Sequence, residues 1–162
     1  MINAADIEQL NKVLDSMIQY ELVLRDFYNR CAELWAGDQT FWHNLAKAEV
    51  NHAEYIKKMK EIITNKQELF QAGRPFNPVT LNTAMAWIKD NASHLTASGS
   101  SYDKMLIMAR DIENSILESR YAEIVKTADI EYQTLLKNIM AQTQEHRKII
   151  QEKIEKTKTK GQ

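Results

Sequence analysis

Apolar residues recur every three or four positions through four long stretches of this chain, and little interrupts them. That spacing is the period of an amphipathic helix, whose apolar stripe has to be buried against a neighbour. Four glycines and two prolines in 162 residues leave little of the punctuation that sheets and irregular folds need. The expected fold class is therefore all-α, and the length suits a single domain over 1–162 with one core.

The first predicted helix, about 4–35, carries Ile7, Leu10, Leu14, Met17, Ile18, Leu24, Tyr28 and Ala32 on its stripe. Ala36-Gly37-Asp38 is expected to end it, with Gly37 as terminator and Asp38 as N-cap of the next helix. The second, about 39–64, carries Phe41, Trp42, Leu45, Ala46, Ala53, Ile56, Met59 and Ile63. A link so short makes the two an antiparallel hairpin.

Gly73-Arg74-Pro75 and Asn77-Pro78 then break the pattern, a short helix follows over about 80–90, and 91–101 reads as loop. The third long helix, about 102–126, carries Met105, Leu106, Ala109, Ile112, Ile116, Leu117, Ile124 and Val125. After a break near Thr127-Ala128-Asp129 the fourth, about 130–156, carries Leu135, Leu136, Ile139, Met140, Ile149, Ile150 and Ile154. The crossover can run the length of a bundle, so the third helix starts at the same end as the second. The expected architecture is an up-down-down-up four-helix bundle with a short extra helix in its long crossover. A faint echo between residues 27–33 and 119–123 suggests two related halves.

Polar residues interrupt the stripes at few places. Glu21 is flanked by Met17, Ile18, Leu24 and Tyr28, so it points inward. Glu49 and His52, spaced Glu-x-x-His, share the inner face with Leu45, Ala46, Ala53 and Ile56. Folding the hairpin back near Ala36 sets Glu21 at the height of Glu49 and His52, because residues equally far from a turn face each other across it. On the fourth helix His146 lies on the inner stripe with Ile139, Thr143 and Ile150, but the residue three before it is Thr143 rather than Glu. Folding the second hairpin near Ala128 puts Thr143 opposite Glu113, which selects Glu113 from the third helix, with Asp111 and Glu118 as rivals. Glu145 is rotated about 100° from His146 and belongs on the rim.

Buried carboxylates and imidazoles are costly unless paired or bound to metal. The ordinary alternative for Glu21 is a salt bridge with Arg25 or Arg120. Convergence favours a metal, and oxygen and nitrogen donors suit iron, manganese or zinc rather than a thiolate-seeking ion. His43 and His94 fall in polar segments and are given no role. Tyr28, Trp42, Trp87 and the methionines are read as core.

Tyr20-Glu21 through Phe27-Tyr28 and Ala32-Glu33, followed by Phe41-Trp42, Leu45-Ala46, Glu49, His52-Ala53 and Ile56, resemble the first hairpin of the rubrerythrin-type branch of the ferritin-like family. The resemblance implies a ferritin-like bundle holding iron, two ions in a complete site, that reduces oxygen or peroxide or oxidises ferrous iron. It implies Glu49 as bridging ligand, Glu21 and Glu113 completing the carboxylates, His52 and His146 as terminal ligands, and Glu118 as a further candidate. Two features depart from the family: no Cys-x-x-Cys knuckles follow the bundle, and Thr143 replaces the second bridging Glu. Storage or delivery of iron, and a metal-free helical interaction module, are the competing expectations.

Lys and Arg number 21 against 22 Asp and Glu, a balance that attracts neither nucleic acid nor an anionic membrane. The basic stretch from Lys153 to Lys160 suits the end of a helix. Cys31 stands alone, which excludes a disulfide within the chain and a Cys-based zinc or iron–sulfur site. The N-terminus lacks the basic start and apolar run of a signal peptide, so the expected setting is the cytoplasm. The expected partners are a second copy of the chain, a small oxidant and an external electron donor.

Overall fold

The computed structural model describes residues 1–75, 77–115 and 118–161, except for the side chain of Glu118. The chain is mostly helical: α1 (Ala4–Leu34), α2 (Gln39–Asn65), α3 (Pro78–Ser93), α4 (Gly99–Glu113) and α5 (Ile130–Lys160). A two-stranded antiparallel sheet pairs β1 (Phe70–Ala72) with β2 (Val125–Thr127) in the register Phe70↔Thr127. Short polar side chains set three of the helix starts. Asn3 accepts from the Asp6 N–H, Asp129 from the Tyr132 N–H, and Asn77 from the Val79 N–H ahead of α3, whose first turn holds Pro78.

Contacts between helices fix their directions. Asp15 pairs with Lys60 at 2.6 Å and Asn29 with His43 at 3.2 Å, so numbers rise along α1 as they fall along α2. Lys66 meets Asp129, and His52 meets Gln142, which makes α2 and α5 antiparallel. Tyr28 meets Glu113 and the Trp35 ring stacks on Tyr102, so α1 and α4 are antiparallel too. The core between them holds Leu14, Met17, Leu24, Tyr28, Trp42, Leu45, Ile56, Met105, Ile139 and Ile150. Each such aliphatic side chain contributes roughly 1.5–3 kcal/mol by leaving water. Among the described residues no helix is long and apolar enough to cross a membrane.

Several expectations need correction. The third long helix does not run over 102–126: α4 ends at Glu113, Glu118–Glu123 is a 3₁₀ turn and Val125–Thr127 is a strand. Long-range pairing overrides local helical spacing here. The N–H groups of Gly73 and Arg74 donate to the carbonyls of Ile124 and Glu123, which a continuous helix would have kept for itself. Val125 and Thr127 are β-branched and suit the strand that results. Ile116 and Leu117, read as part of that helical stripe, lie outside the described residues. Gly73, read as a breaker, is required for close approach, since a Cβ there would sit 2.1 Å from the Glu123 carbonyl oxygen.

The interval read as loop over 91–101 is also largely helical, because α3 continues to Ser93 and α4 begins at Gly99. Asp38 occupies the N-cap position of α2, yet its side chain makes no cap bond. Instead it accepts from Tyr102 Oη at 2.5 Å and from Lys153 Nζ, tying the α1–α2 turn to α4 and α5. Burial opposes its ionisation, but these Lys153 and Tyr102 hydrogen bonds prevail and hold the carboxyl below its ordinary range. Trp42 is core as expected, whereas Trp87 is half exposed on α3.

Candidate metal centre

Glu21 on α1, Glu49 and His52 on α2, Glu113 on α4 and His146 on α5 all lie buried at one level of the molecule. The i, i+3 spacing of Glu49 and His52 brings their groups together: Glu49 Oε2 is 3.0 Å from His52 Nδ1. Glu21 Oε2 approaches the same nitrogen at 3.5 Å. The other oxygen of Glu49, Oε1, lies 3.2 Å from His146 Nδ1, and Glu113 Oε1 lies 3.4 Å from that nitrogen. The two imidazole rings face each other with centroids 5.9 Å apart.

The result is two groups, Glu21–Glu49–His52 and Glu49–Glu113–His146, each offering donor atoms within 4.8 Å of one another. Glu49 belongs to both. Tyrosines hold the outer carboxylates in a crossed arrangement. Tyr121 Oη donates to Glu21 Oε1 at 2.9 Å, and Tyr28 Oη donates to Glu113 Oε1 at 2.5 Å. His52 Nε2 faces Gln142 Oε1 at 3.0 Å. A carbonyl there selects the proton on Nε2 and leaves the Nδ1 lone pair facing the carboxylates, as a metal ligand requires.

Six inward-facing atoms make no hydrogen bond: Glu21 Oε2, both oxygens of Glu49, His52 Nδ1, Glu113 Oε2 and His146 Nδ1. An unpartnered buried polar atom costs about 1–3 kcal/mol. All but Glu113 Oε2 face one another in imidazole–carboxylate pairs at 3.0–3.5 Å, where a shared proton or metal ion satisfies both members. Cations, whether protons or metal ions, must therefore occupy the centre.

Without metal the groups take protons. Burial pushes the Glu21 carboxyl up to about 8, and burial together with the Glu49 charge raises Glu113. For Glu49 burial works in the same direction, but the His146 and His52 imidazoles that face its two oxygens outweigh it and keep this carboxyl ionised. Burial opposes charge on both histidines, yet Glu21 and Glu49 raise His52, and Glu113 and Glu49 raise His146 to about 9. Metal ions compete with those protons for the same lone pairs, so binding a metal here expels protons.

The structure thus brings together Glu21, Glu49, His52, Glu113 and His146 out of the residues singled out by sequence. The side chain of Glu118 lies outside the described residues. Asp111 is exposed and pairs with Arg110, and Glu145 is exposed on the rim. Arg25 pairs with Asp26, so it does not neutralise Glu21. His43 and His94 bond to Asn29 and to the Asp90 carbonyl, away from the centre.

Sequence reasoning missed Tyr121 and Gln142 and read Tyr28 as packing alone. A signal for the tyrosines was present: Tyr28 follows Glu21 by seven residues and Tyr121 follows Glu113 by eight. The fold and site together define an all-α protein with two buried Glu/His groups, sharing one carboxylate, that can hold metal. Comparison with protein families, characterised proteins and solved structures finds no match.

Proposed function

We propose that this chain is a rubrerythrin-type member of the ferritin-like proteins that holds iron in its core and works as a non-haem oxidoreductase. The ferritin-like reading draws on the antiparallel α1–α2 and α4–α5 pairs, the long crossover that contains α3, and the antiparallel packing of α2 on α5. In that reading the fold is an up-down-down-up four-helix bundle. The observation that carries the metal reading is the sharing of Glu49 between two buried groups whose inward-facing atoms make no hydrogen bond.

Glu49 would help hold both iron ions, together with Glu21 and His52 for one and with Glu113 and His146 for the other. The donors are oxygens and imidazole nitrogens, a set that also accepts manganese or zinc, while the buried thiol of Cys31 takes no part in either group. Bound iron would supply one-electron redox changes and an open position for oxygen or peroxide, with an external donor restoring the ferrous state. The chain's own residues orient the shell. Tyr121 and Tyr28 donate to Glu21 and Glu113, Gln142 sets the His52 tautomer, and the surrounding core excludes water. A reducing cytoplasm, which keeps iron ferrous and Cys31 a thiol, is the setting of this reading. A homodimer belongs to it as well.

Anaerobic loading with ferrous iron, followed by elemental analysis, tests the reading. Two ions per chain in the wild type, and consumption of peroxide with concomitant iron oxidation, are expected. Wild-type protein that retains no metal would leave the metal-free helical module as the answer. Native mass spectrometry separates the expected dimer from the closed shell that an iron-storage role requires.

A further inference from the structure

Ile107 is an apolar side chain in the middle of the outward face of α4, and a cavity opens on each side of it. Toward α3 the cavity is about 300 Å³, and Trp87, Leu95 and Met108 line it with Ile107. Toward α5 it is about 340 Å³, and Leu106 and Ile154 line it with Ile107. Trp87 and Ile107 are 49 % and 45 % exposed, so the ridge and its two cavities form one apolar band across three helices. Charged side chains rim it: Lys104 and Asp111 on the α3 side, Asp103 and Arg110 on the α5 side. An apolar surface rimmed by charge marks a place where another molecule docks.

The positions of the charges select that molecule. Asp103 and Arg110 stand four residues before and three after Ile107, and at about 100° per residue both fall to one side of it. Lys104 and Asp111 stand three before and four after and fall to the other side. Each side therefore carries an anion and a cation at nearly equal distances from Ile107. A second α4 laid antiparallel against the first, with a two-fold axis at Ile107, exchanges before for after and leaves each side facing itself. Asp103 then meets Arg110 of the partner subunit, Lys104 meets Asp111 of the partner subunit, and the symmetry repeats both pairs. Within one chain Arg110 pairs with Asp111 at 2.8 Å in the open, and an exposed ion pair exchanges partners at little cost. Nucleic acid and anionic lipid call for a face of cations alone, which this one is not.

We propose that this face pairs two copies of the chain, α4 antiparallel on α4 about Ile107, with Trp87 and Ile107 withdrawn from water and the ion pairs fixing the register. The pairing rests on the homodimer read above, independently of its metal, and adds which surface makes it.

Sedimentation equilibrium of the full chain tests the pairing. Wild type is a dimer, whereas Asp103→Arg and Arg110→Asp each set two like-charged pairs in the contact and weaken it roughly tenfold or more. Mixed in equal amounts, the two variants recover a heterodimer of near wild-type affinity, because each supplies the charge that the other lost. Native mass spectrometry identifies the heterodimer by its mass, and an unfolded variant cannot form it. Lys104→Asp with Asp111→Lys repeats the test on the α3 side should either of the first two fail to fold. Undiminished dimers in the single variants, or no recovery on mixing folded variants, would overturn this face and leave the homodimer standing. A wild type that stays monomeric at every concentration would overturn the homodimer and this face with it.

Discussion

Replacing Glu49 by glutamine preserves shape and removes the one carboxylate common to both groups. Each of its oxygens faces a different imidazole, 3.0 Å from His52 Nδ1 and 3.2 Å from His146 Nδ1, and neither makes a hydrogen bond. An amide keeps one acceptor and turns the other into a donor, so at most one group retains three ligands. Metal present at a hundred times its dissociation constant stabilises the wild type by about 2.7 kcal/mol. At roughly 2–4 °C per kcal/mol for a chain of this size, the melting temperature rises by roughly 5–11 °C. If losing the shared ligand weakens binding a hundredfold, the same free metal yields about 0.4 kcal/mol, a rise of roughly 1–2 °C. Scanning calorimetry with and without metal, paired with elemental analysis, measures both quantities. Glu21→Gln and Glu113→Gln serve as comparisons, because each touches only one group and should leave about one ion bound. Equal metal-induced shifts in wild type and Glu49→Gln, or an unchanged metal content, would refute a shared bridging role.

Other outcomes follow from particular contacts. Tyr121→Phe leaves Glu21 Oε1 without its donor in a fully buried site, so urea unfolding of the metal-free protein should show a loss of about 1–3 kcal/mol. Gly73→Ala forces a Cβ to within 2.1 Å of the Glu123 carbonyl oxygen, 2.7 Å of Ile124 C and 2.8 Å of Val125 N, all backbone atoms. The β1–β2 pair has to shift as a unit, and destabilisation of about 2 kcal/mol or more is expected in the same assay. Asp38 has a depressed folded pKa, so its ion pair stabilises the fold above the unfolded carboxyl value and the benefit is lost as pH falls through the lowered folded value. Wild type should therefore exceed Asp38→Asn in urea midpoint at neutral pH and converge with it in strong acid. A constant difference across the range would mean that the Lys153 and Tyr102 contacts are not what stabilises the ionised form.

Much of the helical framework was legible because burial on one face leaves a period in the sequence. The starts of α2 and α5 fall where chain punctuation puts them, at Gln39 and Ile130. Counting outward from each turn was enough to pair heights: Glu21 with His52, and Glu113 with the helical turn that holds His146. The third helix failed as a prediction because its last third is spaced like a helix yet is claimed by β1. Those hydrogen bonds come from residues some fifty positions earlier in the chain, and no local pattern reports them. Asp38 misled for a related reason: its distant partners Tyr102 and Lys153 outcompete the local cap.

By itself the sequence determined which residues turn inward on each helix, since a stripe of apolar side chains dictates a buried face and exposes any carboxylate or imidazole set within it. Only the tertiary structure decided how those residues meet. It placed one Glu49 oxygen in each half of the centre and crossed Tyr28 and Tyr121 onto the opposite carboxylates. These are relations between helices. They depend on backbone breaks and long-range hydrogen bonds whose partners are far apart in the chain, and helical periodicity carries no information about them.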